Sequence, residues 1–242
     1  MSAIAARDIS MTFPTRSGAV QALDHVTVEV EDGHFVCIVG ASGCGKSTLL
    51  NIMAGLIRPT SGTIEVRERA VTGPGADRGM VFQSYTLFPW LRVRENIEFG
   101  PSLNGVAADE RRRIAESLLE EMGLAEFARA LANNPDVLLM DEPFGALDAL
   151  TRAGAQRFLT QIWEQHRRTI AFVTHDIDEA IYLGDKVYVM SPRPGRVKEI
   201  VQVDIARPRS LDDIGSQRFA ELKRRILSLI FEDVDTEAAA AG

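Results

Sequence analysis

The sequence predicts an α/β fold with a mostly parallel sheet, and three observations predict it. Apolar strand-like runs alternate along the chain with stretches of helical spacing, as they do when helices cover both faces of a parallel sheet. Two of those runs end in polar residues of chemical interest, Val137-Leu138-Leu139-Met140 in Asp141-Glu142 and Thr169 to Thr174 in His175. A third, His34 to Val39, runs straight into glycines. At 242 residues with 45% hydrophobic side chains, the chain can bury a large core.

Taken in order, Val26 to Val30 alternates apolar and polar residues, Asp32-Gly33 supplies a turn, and His34 to Val39 reads as a buried strand. A helix is expected from Lys46 to about Ile57, broken by Arg58-Pro59-Thr60-Ser61-Gly62. Short strands are expected at Thr63 to Val66 and Gly79 to Gln83. Ile114, Leu118, Leu119 and Met122 recur at helical spacing between an acidic start at Asp109 and a stop at Gly123. A further helix covers Ala149 to Gln165. Phe219, Leu222, Ile226, Leu229 and Ile230 mark a late amphipathic helix, and the end from Asp235 to Gly242 is expected to fray.

Bulk composition limits the function. With 27 basic and 34 acidic side chains the formal charge is −7, which argues against a broad electrostatic grip on nucleic acid. No apolar run reaches the roughly 18 to 20 residues of a membrane span, and the start lacks the apolar core of a signal peptide. A cytoplasmic chain is expected. Cys37 and Cys44 are expected to be free thiols of a reducing compartment.

Gly40-Ala41-Ser42-Gly43-Cys44-Gly45-Lys46-Ser47, with Thr48 following, fits G-x-x-x-x-G-K-[ST] between a strand and a helix. Small residues let backbone N–H groups close around phosphate oxygens at a helix N-terminus, where the dipole also favours negative charge. Lys46 then reaches the β and γ phosphates, and the Ser47 hydroxyl ligates Mg²⁺. A nucleoside triphosphate, ATP with Mg²⁺, is the expected ligand. Asp141 and Glu142 stand where a parallel strand ends, the edge at which open sheets bind ligands. Asp141 suits a water-mediated Mg²⁺ ligand and Glu142 a general base for the attacking water, against the plainer alternative of an acidic turn.

These residues resemble the ATP-binding subunit of an ABC transporter, and within that family the importers for nitrate, sulfonate, taurine and related solutes. The resemblance spans nearly the whole chain. It rests on Gly40 to Thr48, Gln83 in Met80-Val81-Phe82-Gln83-Ser84, Leu138 to Pro143, Ala146-Leu147-Asp148 and Thr174-His175-Asp176, in the family's order. Gly73 to Gly79 leading to Leu87-Phe88-Pro89-Trp90, and Ser191 to Gly195, resemble the importer subgroup. The resemblance implies an ABC-type P-loop fold over residues 4–242, with a small antiparallel β region and a reduced helical subdomain at about 84–130. It implies that Gln83 contacts Mg²⁺ and water, and that His175 bonds the γ-phosphate. Phe13 either stacks on adenine or packs in an early strand. Leu87 to Leu91, with Trp90, either receives a permease helix or belongs to the core. The implied partners are transmembrane permease subunits, a second ATP-binding subunit and, indirectly, a periplasmic or lipid-anchored solute-binding protein. The implied place is the inner face of the cell membrane.

One family element is missing. No segment resembling L-S-G-G-x lies between the helical subdomain and Asp141. Gly123 to Phe127 resembles the stretch before it and Ala128-Arg129-Ala130-Leu131-Ala132 the end of the helix after it, joined directly. A deletion introduced into the gene, a natural degenerate copy, or a signature supplied by another subunit would each account for this, and the intact flanks favour the first. Impaired ATP hydrolysis is expected. The rivals are a nucleotide-binding regulatory module and a soluble ABC ATPase.

Overall fold

The structure is a computed structural model that describes residues 2–16, 18–83, 87–122 and 125–240, with side chains at 121, 122, 211 and 232–240 left aside. Its elements are β1 (Ser2–Thr15), β2 (Gly18–Glu31), β3 (Phe35–Gly40), α1 (Lys46–Met53), β4 (Ser61–Val66), β5 (Arg69–Ala70), β6 (Arg78–Val81), α2 (Val93–Leu103), α3 (Ala108–Met122) and α4 (Ala125–Leu131). There follow β7 (Val137–Asp141), α5 (Ala149–His166), β8 (Thr169–Val173), α6 (Ile177–Leu183), β9 (Lys186–Met190), β10 (Val197–Gln202), α7 (Leu211–Ile214) and α8 (Gln217–Ala240).

Two sheets result. The larger has the order β10-β9-β3-β8-β7-β6, parallel from β9 to β6 with β10 antiparallel at its edge. The smaller, β2-β1-β4-β5, is antiparallel. The central strands are apolar throughout because both faces are covered. Along β3, Phe35, Cys37 and Val39 enter one core with Trp163, Phe144 and Phe172. Val36 and Ile38 point the other way, into a core with Leu49, Leu50 and the antiparallel sheet. The same alternation divides Leu138 and Met140 from Val137 and Leu139, as a period of two requires.

Most expected elements form, with shifted ends. The helix expected to reach Ile57 closes at Met53, because Gly55 turns the chain at φ 77° against the backbone of Gly73. Gln83 lies beyond β6 rather than in it. Fraying from Asp235 is not observed in the backbone: α8 continues to Ala240, through an alanine-rich stretch with strong helix propensity. Ile114, Leu118 and Leu119 pack on the core as their spacing predicts. The Met122 side chain and the stop at Gly123 lie outside the described residues, as does Ser84 of the glutamine segment. Both cysteines are free and buried.

Between β6 and β7 the helices α2, α3 and α4 pack on one another. The Phe127–Ala128 junction falls inside α4. Both residues are buried, and Phe127 stacks on Phe144 with ring centroids 5.7 Å apart, so the helix crosses the junction as a packed element.

Candidate active site

The glycine-rich loop joins β3 to α1 at the carboxyl edge of the parallel sheet. Gly45 caps α1 in the left-handed region at φ 101°, ψ 9°. A Cβ there would sit 2.6 Å from Leu23 Cδ2 and 3.0 Å from the Ala22 oxygen, so glycine is needed for both torsion and space. The Lys46 ammonium, only 6% exposed as a residue, donates to the carbonyls of Gly40 at 2.9 Å and Ala41 at 3.1 Å. Cys44 is buried beside it, its Sγ 3.8 Å from Lys46 Nζ.

Ser47 Oγ donates to Asp141 Oδ1 at 3.0 Å, so the first turn of α1 meets the end of β7. Burial of Asp141 pushes its carboxyl up from the ordinary carboxylate value; the nearby Glu142 charge adds to this, while the Ser47 hydrogen bond and Lys46 oppose it. Two oxygen donors of this kind suit a hard divalent cation that keeps water and phosphate ligands. Among the described residues no group of three or more His, Cys, Asp and Glu side chains could hold a metal alone, so such a cation would need those further ligands.

Glu142 is the point of convergence. Its backbone is held at φ 44°, an uncommon value for a residue with a side chain, and its N–H donates to Val173 O at 2.9 Å. Gln83 Nε2 donates to Glu142 Oε2 at 3.1 Å, and His175 Nδ1 lies 2.9 Å from the same oxygen. Those partners come from the segment after β6 and the end of β8, strands that flank β7. Asp148 and Asp176 cap α5 and α6, which fixes the two turns leaving the site.

Lys46, Ser47 and Glu142 border a cleft of about 490 Å³ that Phe13, Val20 and Ala22 also line. Ser42, Gly43 and Thr48 also line it. Phe13 is both on the wall of this cleft and packed against the core. Sequence reasoning did not single out Val20, Ala22 or Arg193 for this cleft; the Ser191 to Gly195 stretch was the available signal for Arg193.

Leu87 to Leu91 is not core. Trp90 is 76% exposed, with its ring 5.4 Å from Phe88, which in turn meets Phe99 at 4.9 Å. Beside them an open cleft of about 630 Å³ is lined by Phe82, Phe88, Phe99, Leu103 and Arg129, among others. No helix among the described residues is long and apolar enough to cross a membrane.

Comparison with known proteins agrees with this geometry. The model of the ABC transporter family matches residues 23–128. The Taurine import ATP-binding protein TauB of Jannaschia sp. (strain CCS1) is 41% identical over 255 residues, covering 96% of this chain and 95% of its own. The Nitrate import ATP-binding protein NrtD of Synechocystis sp. is 46% identical over 216 residues, covering 82% and 81%. A bacterial ABC transporter cassette solved as a dimer superposes with a TM-score of 0.74 at 29% identity, covering 84% of this chain and 100% of that one. A glycine-rich loop whose Ser47 bonds Asp141 of a strand-end carboxylate pair, in a chain this similar to such relatives over nearly its whole length, makes the protein a member of the ABC transporter family, as one of its ATP-binding ATPase subunits.

Proposed function

We propose that this subunit energises import of a small anionic or zwitterionic solute of the nitrate, sulfonate or taurine type, and that its own ATP hydrolysis is impaired. The observation that carries the catalytic reading is the convergence of Gln83 and His175 on one oxygen of Glu142, beside the Ser47–Asp141 pair. In this reading residues 4–242 are one nucleotide-binding domain with a shortened helical part at about 84–130. Phe13 stacks on the adenine, and the loop from Gly40 to Thr48 wraps the phosphates. Lys46 exchanges its loop carbonyls for phosphate oxygens. Ser47, Asp141 and Gln83 hold Mg²⁺, which when bound neutralises charge on the phosphates and fixes their geometry. Glu142 would accept a proton from the attacking water, and His175, beside it, would bond the γ-phosphate. The taurine and nitrate relatives, by their names, support the solute class.

Two facts support impaired turnover. The sequence has no L-S-G-G-like segment between α3 and β7. The match with the Jannaschia protein extends over 255 residues against the 242 of this chain, so that relative carries residues without a counterpart here. In a head-to-tail pair of subunits the missing segment would supply donors to the γ-phosphate, and losing one such donor set costs on the order of 10² to 10³ in rate. The exposed Trp90 patch supports a permease partner and attachment to the inner membrane face. It weighs against a soluble ABC ATPase. A solute-binding protein would act through that permease.

The test is steady-state phosphate release by the purified chain beside its Glu142→Gln variant, after fluorescent-nucleotide titration of both, and beside a version carrying a signature segment between Phe127 and Ala128. Nucleotide binding without release above the Glu142→Gln blank, and turnover in the extended version alone, is the expected result. Glu142-dependent release at several turnovers per second from the unmodified chain, within the ordinary range of enzymes, would overturn the impairment. Continued silence of a folded extended version would favour a regulatory module that binds nucleotide without hydrolysing it.

A further inference from the structure

The loop from Ser191 to Arg196 follows β9 and lies against the phosphate-binding loop, and nothing in the catalytic reading uses it. Its backbone is fixed from both sides. Gly195 N donates to Ala22 O at 2.9 Å and Asp24 N to Gly195 O at 3.0 Å, tying the loop to β2. Arg196 forms an ion pair with Asp24, and its N–H donates to Ser191 Oγ at 3.0 Å. At Gly195 an added Cβ would collide with the Cys44 carbonyl oxygen, so the loop sits directly on the P-loop backbone.

This fixed loop carries Arg193 into the cleft already described. Arg193 Nη2 donates to Gly43 O at 3.2 Å. Of the guanidinium's five N–H groups, this is the one with a partner among the described residues, and the side chain is exposed and lines the cleft. Lys46 is the other cation lining that cleft, with Glu142 opposing it. A nucleoside polyphosphate brings several negative charges, and a planar fork of donors is well matched to phosphate oxygens.

We infer that Arg193 is a nucleotide-binding residue whose guanidinium contacts the α- or β-phosphate, a second cation of the phosphate channel beside Lys46. The position along the loop selects those phosphates. Arg193 bonds the Gly43 carbonyl, whereas the γ-phosphate is assigned to Gln83 and Glu142, which bond each other. Because the loop is already pinned to β2, little ordering is needed when the contact forms. The inference rests on the reading of this cleft as the ATP site.

The experiment is titration of a fluorescent ADP, with competition by ATP, ADP and adenosine, on the full chain and on Arg193→Gln, Arg193→Lys and Lys46→Ala. Arg193→Gln is expected to weaken ADP and ATP alike by about 10-fold, the scale of an exposed charge-assisted hydrogen bond. Adenosine affinity and the thermal midpoint without nucleotide should stay unchanged, and Arg193→Lys should recover part of the loss. Unaltered ADP and ATP affinities with a severe Lys46→Ala defect would overturn the inference while leaving the site intact. A loss for ATP alone, or an equal loss for adenosine, would also overturn it, the first by moving the contact to the γ-phosphate and the second by making Arg193 a support for the nucleoside pocket. No effect of Lys46→Ala either would instead overturn the reading of the cleft.

Discussion

Substituting Gly45 by alanine perturbs the active loop through two separable terms. Its φ of 101° lies where a side chain costs about 1 to 3 kcal/mol. The new Cβ would also sit 2.6 Å from Leu23 Cδ2, a fully buried side chain, and overpacking of that kind costs about 1 to 3 kcal/mol. Together they predict a loss of about 2 to 6 kcal/mol. At roughly 2 to 4 °C per kcal/mol for a chain of this size, the thermal midpoint should fall by at least about 4 °C. Nucleotide affinity should fall too, because Gly45 immediately precedes Lys46. Gly154, inside α5 with open space where its Cβ would be, provides the contrast. Alanine there should stabilise by about 0.5 to 1 kcal/mol through helix propensity. Calorimetry and nucleotide titration of both variants make the test. A Gly45→Ala protein with an unchanged midpoint and unchanged affinity would refute the reasoning about torsion and contact together.

Other perturbations have equally specific outcomes. Trp163 is buried against Phe35, with the Arg207 guanidinium 4.0 Å from its ring; Trp163→Ala should cost about 3 to 5 kcal/mol in chemical denaturation. Burial pushes the Glu179 carboxyl, 5% exposed as a residue, up from the ordinary value despite its hydrogen bond with Gln156. The folded state therefore binds that proton more readily than the unfolded one, and Glu179's contribution is most favourable in acid and is lost as pH rises through the folded pKa. Glu179→Gln should raise the thermal midpoint at neutral pH, with the gain shrinking towards pH 4; a gain that grows in acid would contradict this sign. Trp90→Ser should leave the midpoint within about 1 °C, as expected for an exposed side chain, while reducing retention by membranes that contain the cognate permease.

The chemistry of the loop was legible in the sequence because Gly40 to Ser47 is contiguous: a strand, small residues and a helix start are local signals. The same holds for Asp141 and Glu142, delivered by the four apolar residues before them. β9 and the edge strand β10 were not singled out, although Val187 to Met190 of β9 is an apolar run like that of β7, and the end of α1 depended on Gly55 meeting Gly73 across 18 residues. Leu87 to Leu91 looked equally suited to core or surface, since five residues without clear periodicity do not say which way they face.

By itself, the sequence determined the α/β class, the glycine-rich loop and the two strand-end carboxylates, because each is written in neighbouring residues. The tertiary structure decided which distant residues join them. Gln83 and His175, 59 and 33 positions from Glu142, meet one of its oxygens, and Arg193, 150 positions from Gly43, reaches its carbonyl. The physical reason is the order of the parallel strands: β6, β7 and β8 lie side by side and β9 borders β3, so residues at their carboxyl ends come together however far apart they stand in the chain.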